Sequence, residues 1–516
     1  MRPKEPTGVN PNRPSPMLNR EIARLDVPFS TEEGVRRAAS RDSWAIGAIM
    51  DYYGKPADPV CAAVVYPRDE EEVRRVMRWA AAGNHPLVPR GGGTSLTGAA
   101  WVTRPDAVVL DLTRLDATFE VDPVRRSVTA GAGLVGAVLE KRLQEQGWTT
   151  GHQPSSASRA TLGGFLATRS AGPFSGCVGK IEDLVRRATW IDGTGELHLD
   201  GATGGLLDLV LGCEGTLGVF TQATLALQPM PEHVAMTSAV FDSPEAGLTA
   251  MRRIVQEGLS PVFLRLYDPS SAVQALRGPK RSGEGAGWPA SLLSPVRHLG
   301  NRSLPLILRA APLWNRLIQE TLPRFLSNRY LLIAGSAHDP FGAQLCASQM
   351  NAIMVSCGGR DLGQEPARRW WRHRQSLFEI RPRVFASGAF ADALDVSTTW
   401  SRMPQLVATV LEELSEHAFV MTHFSHAWHD GCSVHFTFAG AGRDLEDTLV
   451  RYHHVWNLAL TAAARHQATI SHHHGIGRLK REFFASEHGA ALEMLVQLKR
   501  TLDPRGILNP GTLWAN

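Results

Sequence analysis

Three segments made almost wholly of small and polar residues crowd the first half of the chain. They are PRGGGTSLTGAA at 89–100, GHQPSSASRATLGGFLATRSAGP at 151–173 and GCEGTLGVFTQATLAL at 212–227. Such runs let the backbone approach one large ligand closely, and nothing else in the sequence limits the fold as much. In the first, a strand-like HPLV is followed directly by Pro89-Arg90 and then Gly91, Gly92 and Gly93, so that successive N–H groups can converge on an anion. Thr94 and Ser95 add hydroxyl donors. The spacing is neither GxGxxG nor GxxxxGK(S/T), so a Rossmann fingerprint and a P-loop both fail. What remains is a different kind of loop for a pyrophosphate-bearing ligand.

The chain of 516 residues is too long for one ordinary core, which predicts two domains with helical additions. Residues 1–58 read as a polar, proline-rich disordered lead-in without an apolar leader core, followed by a helical segment. From 59 the texture becomes β-α-β: PVCAAVVYP is a strand, RDEEEVRRVMRWAAAGN a helix with an acidic first turn, and HPLVPR a strand. PMPE at 229–232 marks a boundary. Between 230 and 455 the strands AMTSAVF, PVFLRLYD, RYLLIAG and CSVHFTFAG are separated by helices, as in an antiparallel sheet with helical cover. Residues 456–516 read as a C-terminal helical segment whose leucines at 492, 495, 498 and 502 form a stripe that packs back on the first domain. The class is α+β.

With 54 Lys and Arg against 50 Asp and Glu, the net charge of +4 favours anionic small molecules but is too weak for nucleic acid. The six cysteines are scattered without a CxxC pair, so they are expected as reduced thiols in a cytoplasmic protein. No apolar run reaches a membrane span. Segment 297–329, however, interleaves six arginines with leucines, Trp314 and Phe325. That is the pattern of a basic amphipathic stretch, expected to make a peripheral contact on the inner membrane surface or to cover an apolar channel.

PRGGGTSLTG, TLGG, GKIEDLV (179–185) and EGTLGVFT (214–221) resemble the FAD-binding segments of the vanillyl-alcohol-oxidase/PCMH-type flavoproteins. The resemblance runs from about residue 59 to the end. It implies a two-subdomain PCMH-type FAD-binding domain (59–229), an α+β cap domain over an antiparallel sheet (230–455), and flanking helical segments. It would place the FAD pyrophosphate on Pro89, Arg90, Gly91, Gly92, Gly93, Thr94 and Ser95. Further cofactor contacts would fall on Ser155, Ser156, Ala157, Ser158, Arg159, Ala160 and Thr161, and on Ala167, Thr168, Arg169 and Ser170. The third segment would add Glu214, Gly215, Thr216, Leu217, Gly218, Val219 and Phe220. Members with covalent flavin often carry a histidine where this chain has Gly93-Thr94, which implies non-covalent FAD.

Within that family, SHHHGIGRLKREF (471–483) is similar to the C-terminal signature of the alkyldihydroxyacetonephosphate synthases. FLRLYD around Arg265 and IRPRVF…STTW from Arg381 support the match. The resemblance implies exchange of the acyl group of an acyl-dihydroxyacetone phosphate for a fatty alcohol in ether-lipid synthesis. Arg381 would bind the phosphate and Arg265 would lie near the reaction centre. Guanidinium groups suit that task because they give permanent, forked recognition of an anion. His472, His473 and His474 would orient and protonate oxygens, as imidazoles can near neutral pH. In extended backbone, 472 and 474 face one way and 473 the other, so at most two would share a wall.

An ungapped match of CSVHFTF puts His435 where the synthases carry a catalytic tyrosine, a change of about 3.5 units in unperturbed pKa. His435 also opens a rival resemblance, to flavin-linked D-2-hydroxyacid dehydrogenases. In some of these, histidines around a DGN segment hold a divalent metal. Here His426, His429, His435, His473 and His474 would be the candidates, with Asp430-Gly431 between them. The absence of a glutamate before HGIG and an extra residue ahead of His435 argue for a metal-free site. A non-catalytic flavin binder is the third reading. The expected partner is an anionic small-molecule or lipid-like substrate, and a homodimer is expected.

Overall fold

The computed structural model describes residues 15–55, 59–201, 205–275, 304–316, 329–374 and 381–514. The first layer is a four-stranded sheet in the order Phe29–Ser30, Ala63–Val65, Val108–Asp111, Leu87–Arg90. Its last three strands are parallel. The helix Glu70–Gly83 makes the crossover that parallel pairing requires. Asp69 caps it by accepting from the Glu72 amide at 2.8 Å, and three glutamates occupy its first turn. Val73, Val76, Met77 and Ala80 bury one face of it, and Asn84 ends it in the left-handed conformation at φ 55°.

A second, antiparallel sheet follows in the order Phe119–Asp122, Ser127–Gly131, Val219–Ala226, Val185–Ile191, Leu197–Gly201. Inward residues of Val219–Ala226 alternate with half-buried ones, as in a strand with one face on the core.

The cap is a seven-stranded antiparallel sheet. Its order is Arg360–Asp361, His233–Phe241, Tyr330–His338, Phe263–Tyr267, Phe419–Ala427, Gly431–Gly440, Phe390–Thr399. Helices Pro244–Gln256, Pro340–Ser356, Met403–Ser415 and Leu445–Arg465 close its apolar face around Phe390, Leu394, Phe436, Leu332 and Met350. The fold is α+β, with the FAD-binding unit built as two sheets.

Both chain ends cross between these units. Helix Pro16–Ala23 packs Leu18 and Ile22 into the core of the first sheet, whereas helix Ala45–Tyr52 places Ala45 and Ile49 in the cap core. Trp44 Nε1 donates to the Tyr452 hydroxyl at 3.0 Å. At the other end, Ile470 lies in the cap core but Leu502, Ile507 and Leu508 lie in the cores of the first two sheets. Lys499 pins this return: its Nζ donates to the carbonyls of Thr216 (2.7 Å) and Leu508 (3.0 Å) and pairs with Asp503 at 2.5 Å.

Of the basic segment 297–329, residues 304–316 and 329 are described, with helices Leu304–Arg309 and Ala311–Arg316. Among the described residues no helix is long and apolar enough to cross a membrane.

Candidate active site

Three neighbouring cap strands carry one wall of the site. Their register sets His423 opposite His435 and His435 opposite Asp395. Directly opposed residues on one face touch, and the His423 and His435 rings stack at 4.5 Å. The strand Phe419–Ala427 carries an irregularity between Ser425 and Ala427, where His426 adopts φ 44°. Such a bulge re-aims a side chain, and it brings His426 within 6.4 Å of the His435 ring.

The triplet completes the wall. Thr469 and His472 donate their amides to the Ser397 and Asp395 carbonyls at 2.9 and 3.1 Å, laying the loop along the strand Phe390–Thr399. The loop then bends at 472–474 instead of staying extended. The alternation expected of extended backbone therefore does not hold. The rings of His472 and His473 both reach His426 (5.0 and 5.4 Å), and those of His473 and His474 both reach His435 (5.3 and 5.7 Å). The bend is imposed by Asp395, whose Oδ2 accepts from the amides of His473 (2.7 Å) and His474 (3.0 Å). Lys480 Nζ, also fully buried, stands 3.1 Å from Oδ1. Burial alone would raise the Asp395 carboxyl, but its attraction to His474 and Lys480 and its hydrogen bond with His474 outweigh it and hold it well below the usual range.

The imidazoles are kept neutral. Burial pushes His435, His426, His423 and His473 well below their ordinary value, and neighbouring imidazoles add to the shift. His472 falls to about 3 from burial and the charge of Lys180. Arg265, on Phe263–Tyr267, lowers His423, His426 and His435 further; its guanidinium lies over the Trp370 ring at 5.2 Å. His435 Nε2 and His472 Nε2 are buried without a hydrogen-bond partner, as are both ring nitrogens of His152. Buried polar atoms left unpaired point to a polar ligand that completes them.

His429 is different. Its side chain is 79% exposed and paired with Asp430, away from the cluster. Nitrogens of His426, His472 and His473 lie within 4.8 Å of one another. All three residues already have a ring nitrogen engaged: His426 Nε2 with the Gly172 carbonyl at 2.9 Å, and His472 Nδ1 with His473 Nδ1 at 2.9 Å. Arg381 opens the helix Arg381–Phe385, and its side chain lies outside the described residues.

On the opposite side the glycine-rich segments abut one another. A Cβ on Gly91 would meet Thr161 Oγ1 at 2.3 Å, and one on Gly92 the Arg159 carbonyl at 1.9 Å. Beside them is a cavity of about 400 Å³ lined by Arg37, Arg41, Arg90 and Arg159 with Asp42 and Gly93. Arg90 Nη1 is buried there without a partner. Thr161 caps the helix Leu162–Thr168. Arg169 turns away and binds the Leu211 and Asp208 carbonyls at 3.0 and 2.7 Å, so it ties two segments together. These residues fit a dinucleotide pyrophosphate: close backbone, four guanidiniums and an orphaned donor.

Contributors that escaped the sequence include His152, Asp395, Lys480, Arg37, Arg41 and His423. The first stands in plain view within GHQP, and a lone acid pair in the apolar strand FADALDVSTT is a signal for the second.

The match to known proteins follows the same division. Residues 61–200 match the model of an FAD binding domain, and residues 230–513 that of the C-terminal domain of FAD linked oxidases. The chain belongs to the FAD-linked oxidase family, with a PCMH-type FAD-binding unit, and FAD is its cofactor. Among its relatives, an alkyldihydroxyacetonephosphate synthase of Trypanosoma brucei brucei is 26% identical over 513 residues, covering 96% of this chain and 79% of that one. An uncharacterized FAD-linked oxidoreductase of Escherichia coli K12, YgcU, is 27% identical across 94% of this chain and 95% of its own. A mitochondrial D-lactate dehydrogenase (cytochrome) of Arabidopsis thaliana is 23% identical across 90% and 76%. A solved alkyldihydroxyacetonephosphate synthase superposes with a TM-score of 0.76 over 98% of this chain and 87% of that one, at 23% identity.

Proposed function

We propose that the protein is an FAD-dependent transferase of the alkyldihydroxyacetonephosphate synthase kind, which replaces the acyl group of an acyl-dihydroxyacetone phosphate by a fatty alcohol. The observation that carries this reading is the wall of buried, neutral imidazoles with free ring nitrogens set beside Arg265. Bound FAD supplies an electron-accepting ring; the rest falls to side chains. His435, neutral and with Nε2 free, accepts a proton from substrate carbon in place of the tyrosine of the synthases. His472 Nε2 exchanges protons with the departing carboxylate and the incoming alcohol. Arg381, by resemblance, holds the phosphate, while Arg265 lies at the reaction centre beside the imidazoles. The exchange is redox-neutral: one C–O bond breaks and one forms. Supplying palmitoyl-dihydroxyacetone phosphate and hexadecanol to the purified protein tests it, with 1-O-hexadecyl-dihydroxyacetone phosphate as the expected product and its absence as the refutation.

The second reading, a D-2-hydroxyacid dehydrogenase, draws on the three clustered nitrogens of His426, His472 and His473 and on the dehydrogenase relatives. Anaerobic bleaching of the flavin by a D-2-hydroxyacid, with about one zinc or manganese per chain, would select it. For the lipid-like substrate we place the membrane contact on residues 304–316, where Leu306 and Leu313 are 63% and 71% exposed.

A further inference from the structure

Asp395 and Lys480 have no place in the chemistry assigned above, yet a fully buried ion pair is costly to keep, because its desolvation can exceed its attraction. We propose that Asp395 is a positioning residue that fixes the tautomer of His474, holding the proton on Nδ1 and leaving Nε2 as a proton acceptor. Every atom of the carboxylate is committed. Oδ2 takes the amides of His473 and His474, so it cannot rotate away from the loop. Oδ1 faces Lys480 Nζ at 3.1 Å and His474 Nδ1 at 3.0 Å. A carboxylate kept ionised by a lysine, at that distance from one ring nitrogen, favours the proton there and leaves the other nitrogen as the acceptor.

The neighbouring rings do not compete for this role. His473 Nδ1 is farther from the carboxylate at 3.3 Å and is engaged with His472 Nδ1. His435 sits across the strand pair from Asp395 and touches the His474 ring at 5.7 Å. His474 Nε2 and His435 Nε2 would then both accept protons on one face of the site. The catalytic consequence rests on the histidine wall being the reaction site; the tautomer does not.

Ring-nitrogen chemical shifts in ¹⁵N-histidine-labelled holoenzyme read it directly, with His474 assigned by its loss in His474→Gln. The wild type should show an Nδ1–H, Nε2-acceptor imidazole. In Asp395→Asn/Lys480→Met, which removes both buried charges together, that signature should be lost. The kcat should drop at least a hundredfold with KM within about twofold and FAD content unchanged, as befits a misplaced tautomer. An Nε2–H imidazole in the wild type overturns the proposal whatever the variants do. A signature unchanged in the double variant, or a lost signature with kcat intact, overturns it as well. A wild type inactive on palmitoyl-dihydroxyacetone phosphate removes the synthase reading, while the nitrogen shifts still decide the tautomer.

Discussion

Glu214 accepts a hydrogen bond from the amide of Gly477 at 2.8 Å, and from that of Ile476 at 2.5 Å, across more than 260 residues of sequence. Its carboxylate would also meet a Cβ on Gly475 at 2.7 Å. Thr97 adds to this grip, its carbonyl accepting from Arg478 and Leu479 at 2.9 and 3.1 Å. The histidine loop is thus held from one side by Asp395 of the cap and from the other by the glycine-rich segments that carry Thr97 and Glu214.

Glu214→Gln should loosen this loop, because a carboxamide can accept only through its oxygen and presents N–H to an amide donor. A cost of about 1–3 kcal/mol is expected, with lowered turnover. A thermal midpoint and kcat both equal to wild type would show that the latch is dispensable.

Gly92→Ala should strip the protein of FAD, since even a methyl group meets the Arg159 carbonyl at 1.9 Å and would drive the two loops apart. The wild type should be yellow and release its flavin to the supernatant on acid precipitation. Flavin retained in the pellet would mean a covalent bond, and a yellow alanine variant would mean that the loops part without consequence.

Acid should destabilise the protein early. The folded values of His423, His426, His435 and His473 lie well below 6.5, and those of His152 and His472 near 3. The unfolded chain therefore binds more protons, and stability present above pH 6.5 is lost as pH falls below it, by about 1.4 kcal/mol per unit for each such group. Asp42 and Glu214, raised by burial to about 6 and about 7, and Asp268, which burial also raises, act in the opposite sense but are fewer than the histidines. The thermal midpoint should drop steeply from pH 6.5 to 5, and the His435→Asn/His472→Asn variant should show a shallower slope. A flat profile would mean that the cluster is solvated.

His435→Phe should be nearly inactive, whereas His435→Tyr, which restores a phenol at a position only 7% exposed, should keep synthase activity. If both lose activity along with a bound metal, the dehydrogenase chemistry is the correct one. Metal analysis of the wild type separates the two.

Intact protein should float with anionic vesicles, and less so at high salt. Leu306→Ser/Leu313→Ser should float less than wild type. Equal flotation would return residues 304–316 to ordinary surface.

The sequence exposes what is local. The glycine loop, the helix Glu70–Gly83 with its acidic first turn, and the strand periods around Val219–Ala226 can all be read from neighbours in the chain. The triplet itself announces a site, but its geometry does not follow from its spacing. Whether three adjacent imidazoles alternate or converge depends on Asp395, 77 to 79 residues away, and on a pairing register that no window of sequence contains. His426 shows the same limit, because nothing in a histidine's chemistry signals the left-handed φ of 44° that turns it into the cluster. Arg37 and Arg41 sit in a stretch that looks like a helical preamble, and only folding back against Arg90 and Arg159 makes them line the cavity beside the glycine loop.

The crossing of the two chain ends has a consequence for how this molecule can be taken apart. A break near residue 230 would leave the N-terminal fragment holding Ala45 and Ile49, which belong to the cap core, and the C-terminal fragment holding Ile507 and Leu508, which belong under the first sheet. Each fragment would carry a piece of its counterpart and lack one of its own. The two lobes are laced through each other, so neither fragment would hold a whole core.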